Sequence, residues 1–198
     1  MKQVDARGLT CPKPVIEAKK ALKENNCIEV LVDNQIATEN LKKLAEVKQY
    51  KVNVIKESNQ SFKVILSTGS SNSPVQNNVI LEPNKSNTNV VVAVDTEVMG
   101  QGNQQLGESL MKSFIYALAE QDFQPTCILF YNGGAKLTVE NSPVLEDLKG
   151  ISERGVSILT CGACLDFYGL TERLAVGEIT NMYRIVELMS TAHHVVKP

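Results

Sequence analysis

Two stretches of this chain place cysteine where sulfur chemistry would use it. One is Arg7-Gly8-Leu9-Thr10-Cys11-Pro12-Lys13-Pro14, the other Cys161-Gly162-Ala163-Cys164. Cys11 falls between a short strand-like stretch and a helical pattern, so it is expected at or just before a helix N-terminus. There the macrodipole and unpaired N–H groups favour an anion, and Arg7 and Lys13 are near enough in sequence to add positive charge. Pro12 and Pro14 suit the first helical turn, where a missing N–H costs little and φ is already helical. All of this favours thiolate over thiol at Cys11, which reads as a nucleophile able to carry a sulfur or selenium atom as a persulfide-type adduct. The two histidines, His193 and His194, are both near the C-terminus, so no Cys–His protease arrangement can form inside the first module.

Cys161 and Cys164 allow three chemistries. They could close a disulfide, hold an adduct on one sulfur and resolve it with the other, or ligate a metal. A lone C-x-x-C supplies two zinc ligands, and adjacent His193 and His194 rarely converge on one ion, so no metal site is expected. Asp95, Asn103, Asn132 and Lys136 follow strand-like runs and are expected at the same sheet edge as Cys161, as pocket candidates. Gly100-Gln101-Gly102 with Gly107 lacks phosphate-loop spacing and reads as turn chemistry. Tyr131, Phe167 and Tyr168 read as packing residues, so no cofactor is implied. Cys27 opens a strand and is expected to act as a small buried hydrophobe.

The elements that must position these residues follow from periodicity. The first 70 or so residues read as βαβαββ, with strands near 3–6, 27–33, 50–55 and 62–66. The two helices carry Val15, Ile16, Ala18 and Leu22, and Ala37, Leu41, Leu44 and Ala45, at helical spacing. This predicts a two-layer α/β sandwich with both helices on one face. Residues 70–89 are rich in Ser, Asn and Pro and read as a linker. Val90-Val91-Val92-Ala93-Val94 is a continuous apolar run of the kind buried on both faces of a parallel sheet. Further strands at 127–131, 156–160 and 194–196 alternate with helices near 106–118, 143–154, 165–170 and 181–192. A three-layer α/β domain with a mostly parallel sheet is predicted over residues 90–198, after a first domain at 1–69. Such sheets place their sites at the C-terminal strand ends.

Composition bounds the rest. Hydrophobic residues make up 43% of 198 and charged residues 21%, with no tryptophan. The longest apolar runs fall far short of a membrane span. No apolar signal region follows Met1, and five cysteines fit free thiols in a reducing compartment, so a cytoplasmic location is expected. Residues 1–70 hold 12 Lys/Arg against 8 Asp/Glu, net +4, whereas the remainder is net −6. This asymmetry reads as a solvated basic face, the alternative being a charge pattern that helps the two modules dock or attracts acidic partners. Without clustered aromatics or a recognition motif, it does not indicate DNA or RNA binding.

Asp5-Ala6-Arg7-Gly8-Leu9-Thr10-Cys11-Pro12-Lys13-Pro14 resembles the Cys-Pro-x-Pro signature of TusA/SirA-like sulfur carriers. The stretch from about 90 to 198 resembles a DsrE-like domain. The pairing, with Phe130-Tyr131-Asn132-Gly133-Gly134, the run from Cys161 to Leu170, and Val176-Gly177-Glu178-Ile179-Thr180-Asn181-Met182, is similar to YedF-type, sulfurtransferase-like proteins of selenium metabolism. The resemblance implies a carrier role for Cys11, a chalcogen-accepting role for Cys161, and an additional thiol at Cys164. It further implies a donor protein such as a cysteine desulfurase, an acceptor it does not name, and self-association through the DsrE-like domain. The expected function is relay of sulfur or selenium on cysteine. The rival is a thiol-redox sensor or scaffold that uses Cys161 and Cys164 without transfer.

Overall fold

The computed structural model describes residues 1–10, 12–58, 60–68 and 89–198. Cys11, Asn59 and the stretch read as a linker, apart from Asn89, lie outside the described residues. The chain divides into two units, Met1–Val79 and Ile80–Pro198.

In the first unit β1 (Lys2–Asp5), α1 (Lys13–Glu24), β2 (Cys27–Val32), α2 (Gln35–Lys48), β3 (Lys51–Ser58) and β4 (Ser61–Ser67) follow the predicted order. The sheet runs β1-β2-β4-β3, with β1 and β2 parallel and the other two pairings antiparallel. Period-two alternation turns Ile28, Val30 and Val32 of β2, and Phe62, Val64 and Leu66 of β4, to one face. Ala18 and Leu22 of α1 and Ala37, Leu41 and Ala45 of α2 complete that core, so both helices cover the same face. Cys27 departs from expectation. It is only half-buried, because the same alternation that buries Ile28 turns Cys27 off the core.

The second unit comprises β5 (Val90–Val94), α3 (Gln104–Ala119), β6 (Cys127–Phe130), α4 (Leu145–Glu153), β7 (Ser157–Cys161), α5 (Gly162–Phe167), β8 (Glu178–Thr180), α6 (Met182–Thr191) and β9 (His194–Val196). Its sheet runs β8-β7-β6-β5-β9, and every pairing is parallel. Alternate residues serve two cores. Val92, Val94, Ile128 and Phe130 pack with Met111 and Ile115 of α3 and Leu148 and Ile151 of α4. Val91, Cys127, Leu129 and Cys161 face Ile185 of α6 instead. Three layers result, as predicted.

Three elements were not read from the sequence, one of them the short 3-10 turn Thr171–Arg173. β8 is three residues long, too short to show a period, and is held by its pairing with β7. Asn132–Thr138 forms a 3-10 turn beyond β6, where the sequence showed only glycines. Gly134 makes that turn possible, since a Cβ there would overlap the carbonyl oxygen of Val94.

Candidate functional site

The loop after β1 is held by hydrogen bonds to the end of β2 and the residue beyond it. Ala6 is buried and donates its N–H to Leu31 O at 2.9 Å, which ends β1. Gly8 turns the chain at φ +73°, a conformation that suits glycine, and its N–H meets the Asp33 carboxylate at 2.6 Å. That hydrogen bond holds the Asp33 carboxyl below its ordinary range.

Two parts of the expected activation of Cys11 are corrected here. The Arg7 guanidinium is paired bidentately with Asp5, at 2.8 and 2.6 Å, so its positive charge is largely compensated at short range. The partner's carboxyl is accordingly lowered to about 2. The first turn of α1 also has no unpaired N–H to offer. Lys13 donates to Thr10 O, Val15 and Ile16 donate to Pro12 O, and Pro14 has no N–H. Pro12 is the N-cap residue and Pro14 sits in the first turn.

Thr10 and Pro12, the chain neighbours of Cys11, line a groove of about 400 Å³ together with Gly8, Leu9, Val15 and Ile36. Asp33 and the N-terminus of α2 form its far wall, and Ile36 stands 73% exposed at its lip.

In the second unit the two thiols come together at the C-terminal ends of β6 and β7. Cys161 ends β7, caps α5 and is 2% exposed. Cys164, three residues on, is half-buried and packs against the apolar cluster that contains Cys161. From the end of β6, Asn132 points its main-chain N–H at Cys164 Sγ, 3.0 Å away. Asn132 adopts φ +48°, a left-handed conformation that asparagine tolerates better than most residues. Its side-chain oxygen accepts the Tyr168 hydroxyl at 3.2 Å. Burial pushes the Cys164 thiol up, the Asn132 N–H opposes that, and the neighbouring Cys161 raises it further.

The four pocket candidates divide evenly. Asn132 and Lys136 join the cysteines: Lys136 Nζ stands 5.0 Å above the Tyr168 ring and 2.7 Å from Glu97 Oε1. Asp95 and Asn103 do not. Asp95 pairs with Lys197 where β5 and β9 diverge, which places an ion pair at the topological switch point of the sheet. Asn103 caps α3 by accepting the Leu106 N–H at 2.9 Å. Tyr168, read from the sequence as packing, belongs to the site, and Glu97 was missed altogether. Tyr168 lies four residues after Cys164, the spacing that stacks side chains on one helix face, and this was the signal available. Among the described residues, no three His, Cys, Asp or Glu side chains gather in a way that could hold a metal ion.

Known proteins match both units. The family model for sulfurtransferase TusA matches residues 2–68, and that for the DsrE/DsrF-like family matches residues 98–198, half of the chain. A protein of Methanocaldococcus jannaschii whose name reads "putative sulfur carrier protein" is 39% identical over 69 residues, covering 33% of this chain and 92% of its own length. The SirA-like protein of Desulfitobacterium hafniense is 41% identical, covering 35% of this chain and 99% of that one, with a TM-score of 0.33. A Methanobacterium thermoautotrophicum protein and the ychN protein of E. coli are each 17% identical, covering 55% of this chain and 97% of their own, with TM-scores of 0.43 and 0.42. The chain therefore belongs to the sulfur-carrier class, with a first unit of the TusA family and a second unit of the DsrE/DsrF-like family.

Proposed function

We propose that the protein relays a chalcogen atom, sulfur or selenium, as a cysteine persulfide-type adduct. Cys11 is the carrier of the first unit, and Cys161 with Cys164 forms the station on the second. The observation that carries this reading is the meeting of two thiols and a main-chain donor at the open end of neighbouring parallel strands. A thiol beside a second thiol can both accept a sulfur atom and be relieved of it. The donor is a persulfide-bearing protein such as a cysteine desulfurase, the place of action is the cytoplasm, and selenium metabolism is the process that the YedF-type resemblance favours. Self-association through the second unit is supported by exposed Phe167, Ile179, Met182, Tyr183 and Val186.

Loading with a persulfide donor, followed by intact mass measurement, tests the relay. Wild-type protein should gain a sulfur atom, and Cys11→Ala should lose the adduct of the first unit. If the Cys11→Ala protein retains every adduct, the carrier role is wrong.

The packing of Cys164 against the cluster that holds Cys161 also favours a second reading, a dithiol–disulfide switch without transfer. A redox titration separates the two. The switch reading requires a reversible disulfide in protein that takes up no sulfur from any persulfide donor.

A further inference from the structure

The two thiols of the second unit differ in one respect that decides what each can do. Cys161 is 2% exposed, walled in by Val91, Leu129 and Ile185 on the sheet face that α6 covers. Cys164 is half-buried beside exposed Ala163, and its Sγ is the atom that receives the Asn132 N–H. Uptake of a sulfur atom requires a thiolate to approach the outer sulfur of a donor persulfide along the axis of the breaking bond. A donor carried on another protein or on a small thiol can present that axis to Cys164. It cannot present it to Cys161, which is covered on the sheet side by apolar residues. Cys164, three positions on in the chain, packs against the same cluster as Cys161 from its more open side.

From this we propose that Cys164 takes up the chalcogen and that Cys161 is the resolving thiol beneath it, discharging the atom as hydrogen sulfide or hydrogen selenide. The assignment rests on the relay reading above and exchanges the roles that the family resemblance implies. In the loading step the Cys164 thiolate attacks the outer sulfur of the donor R–S–SH. A new S–S bond forms at Cys164, the donor S–S bond breaks, and R–S⁻ leaves and takes the proton that Cys164 released. In the discharge step Cys161, as thiolate, attacks Cys164 Sγ. The Cys161–Cys164 bond forms, the bond to the outer sulfur breaks, and HS⁻ departs with the proton from Cys161 as hydrogen sulfide. The two protein thiols are oxidised to one disulfide as the outer sulfur is reduced, so the step itself needs no further oxidant. An external dithiol reductant then restores the pair. Asn132 is a positioning residue in this scheme, since its N–H stabilises negative charge on Cys164 during loading.

The test uses the full chain as wild type, Cys161→Ser, Cys161→Ala and Cys164→Ser, each treated with glutathione persulfide. Adducts are located by peptide mass and released sulfide is quantified, with thermal melting to verify folding. Wild type should release sulfide and form the Cys161–Cys164 disulfide. Both Cys161 variants should hold a stable adduct on Cys164 and release sulfide more slowly by ~tenfold or more. Two Cys161 variants are needed because a serine hydroxyl at this buried position can destabilise the fold where alanine does not. Cys164→Ser should show no adduct on Cys161. An adduct on Cys161 in that variant, or undiminished sulfide release from both Cys161 variants, overturns the assignment but leaves the relay standing. Failure of the wild type to take up sulfur on any cysteine overturns the relay itself and this assignment with it.

Discussion

The main-chain N–H of Asn132 donates to Cys164 Sγ across 3.0 Å, although the two residues are 32 positions apart in the chain. The bond exists because β6 and β7 are parallel neighbours, so the segments leaving their C-terminal ends emerge side by side. It also depends on the left-handed turn at Asn132. Asn132→Gly keeps both the turn and the N–H, so alkylation of Cys164 at neutral pH should stay within about threefold of wild type. Asn132→Val places a β-branched residue at φ +48° and should cost about 1–2 kcal/mol in denaturant unfolding. It should also slow Cys164 alkylation by displacing the donor. Equal reactivity in the two variants would remove the main-chain amide from the account of this thiol.

Burial and the adjacent Cys161 both raise the Cys164 thiol. Its alkylation rate should therefore go on rising above pH 8.5 or so, where a free cysteine is half ionised. Cys161→Ala removes one of the two causes and should move the profile back toward the free thiol. The measurement is a pH–rate curve for a small alkylating agent, read at the peptide containing Cys164.

The thiol of Cys127 is likewise raised, by burial, and this links it to global stability. The folded state holds the proton more tightly than the unfolded state. The contribution is therefore fully present below the unfolded value, about 8.5, and is lost as pH rises through the raised folded value. Unfolding free energy should decline on the alkaline side, and Cys127→Ala should decline less steeply. Urea titrations at pH 7 and at pH values above 8.5 would show the difference.

Gly134 and Gly150 make opposite predictions for the same substitution. A Cβ at Gly134 would overlap the Val94 carbonyl, so Gly134→Ala should destabilise by about 3 kcal/mol or more and disturb the 3-10 turn that follows β6. Gly150 lies within α4 with open space around its missing Cβ. Gly150→Ala should stabilise by about 0.5–1 kcal/mol. Thermal melts of the two variants would check both signs.

Asn103→Ala separates a cap from a pocket residue. Loss of the bond to the Leu106 N–H should cost about 1 kcal/mol of stability. Sulfur uptake at Cys164 should be unchanged. Reduced uptake without loss of stability would return Asn103 to the site.

Local pattern was sufficient for much of this molecule. Alternation in Cys27–Val32 and Ser61–Ser67, and helical spacing from Ile16 to Leu22, record a core face directly, because each element has one period and one buried side. The unbroken apolar runs Val90–Val94 and Cys127–Phe130 likewise announced strands covered on both faces. β8 escaped notice because three residues hold too little pattern, and its pairing with β7 is what makes it a strand.

The candidate site divides along the same physical line. The sequence alone determined that Cys161 and Cys164 are delivered at a strand end, since strand, turn and helix signals are local and both cysteines sit among them. Only the tertiary structure decided what those thiols face. The bidentate hold of Asp5 on Arg7, the pairing of Asp95 with Lys197, the N–H of Asn132 on Cys164, and the burial of Cys161 beside a more open Cys164 depend on how segments turn and pack. Hydrogen bonding and solvent exposure are set by neighbours in space, and no local period encodes them.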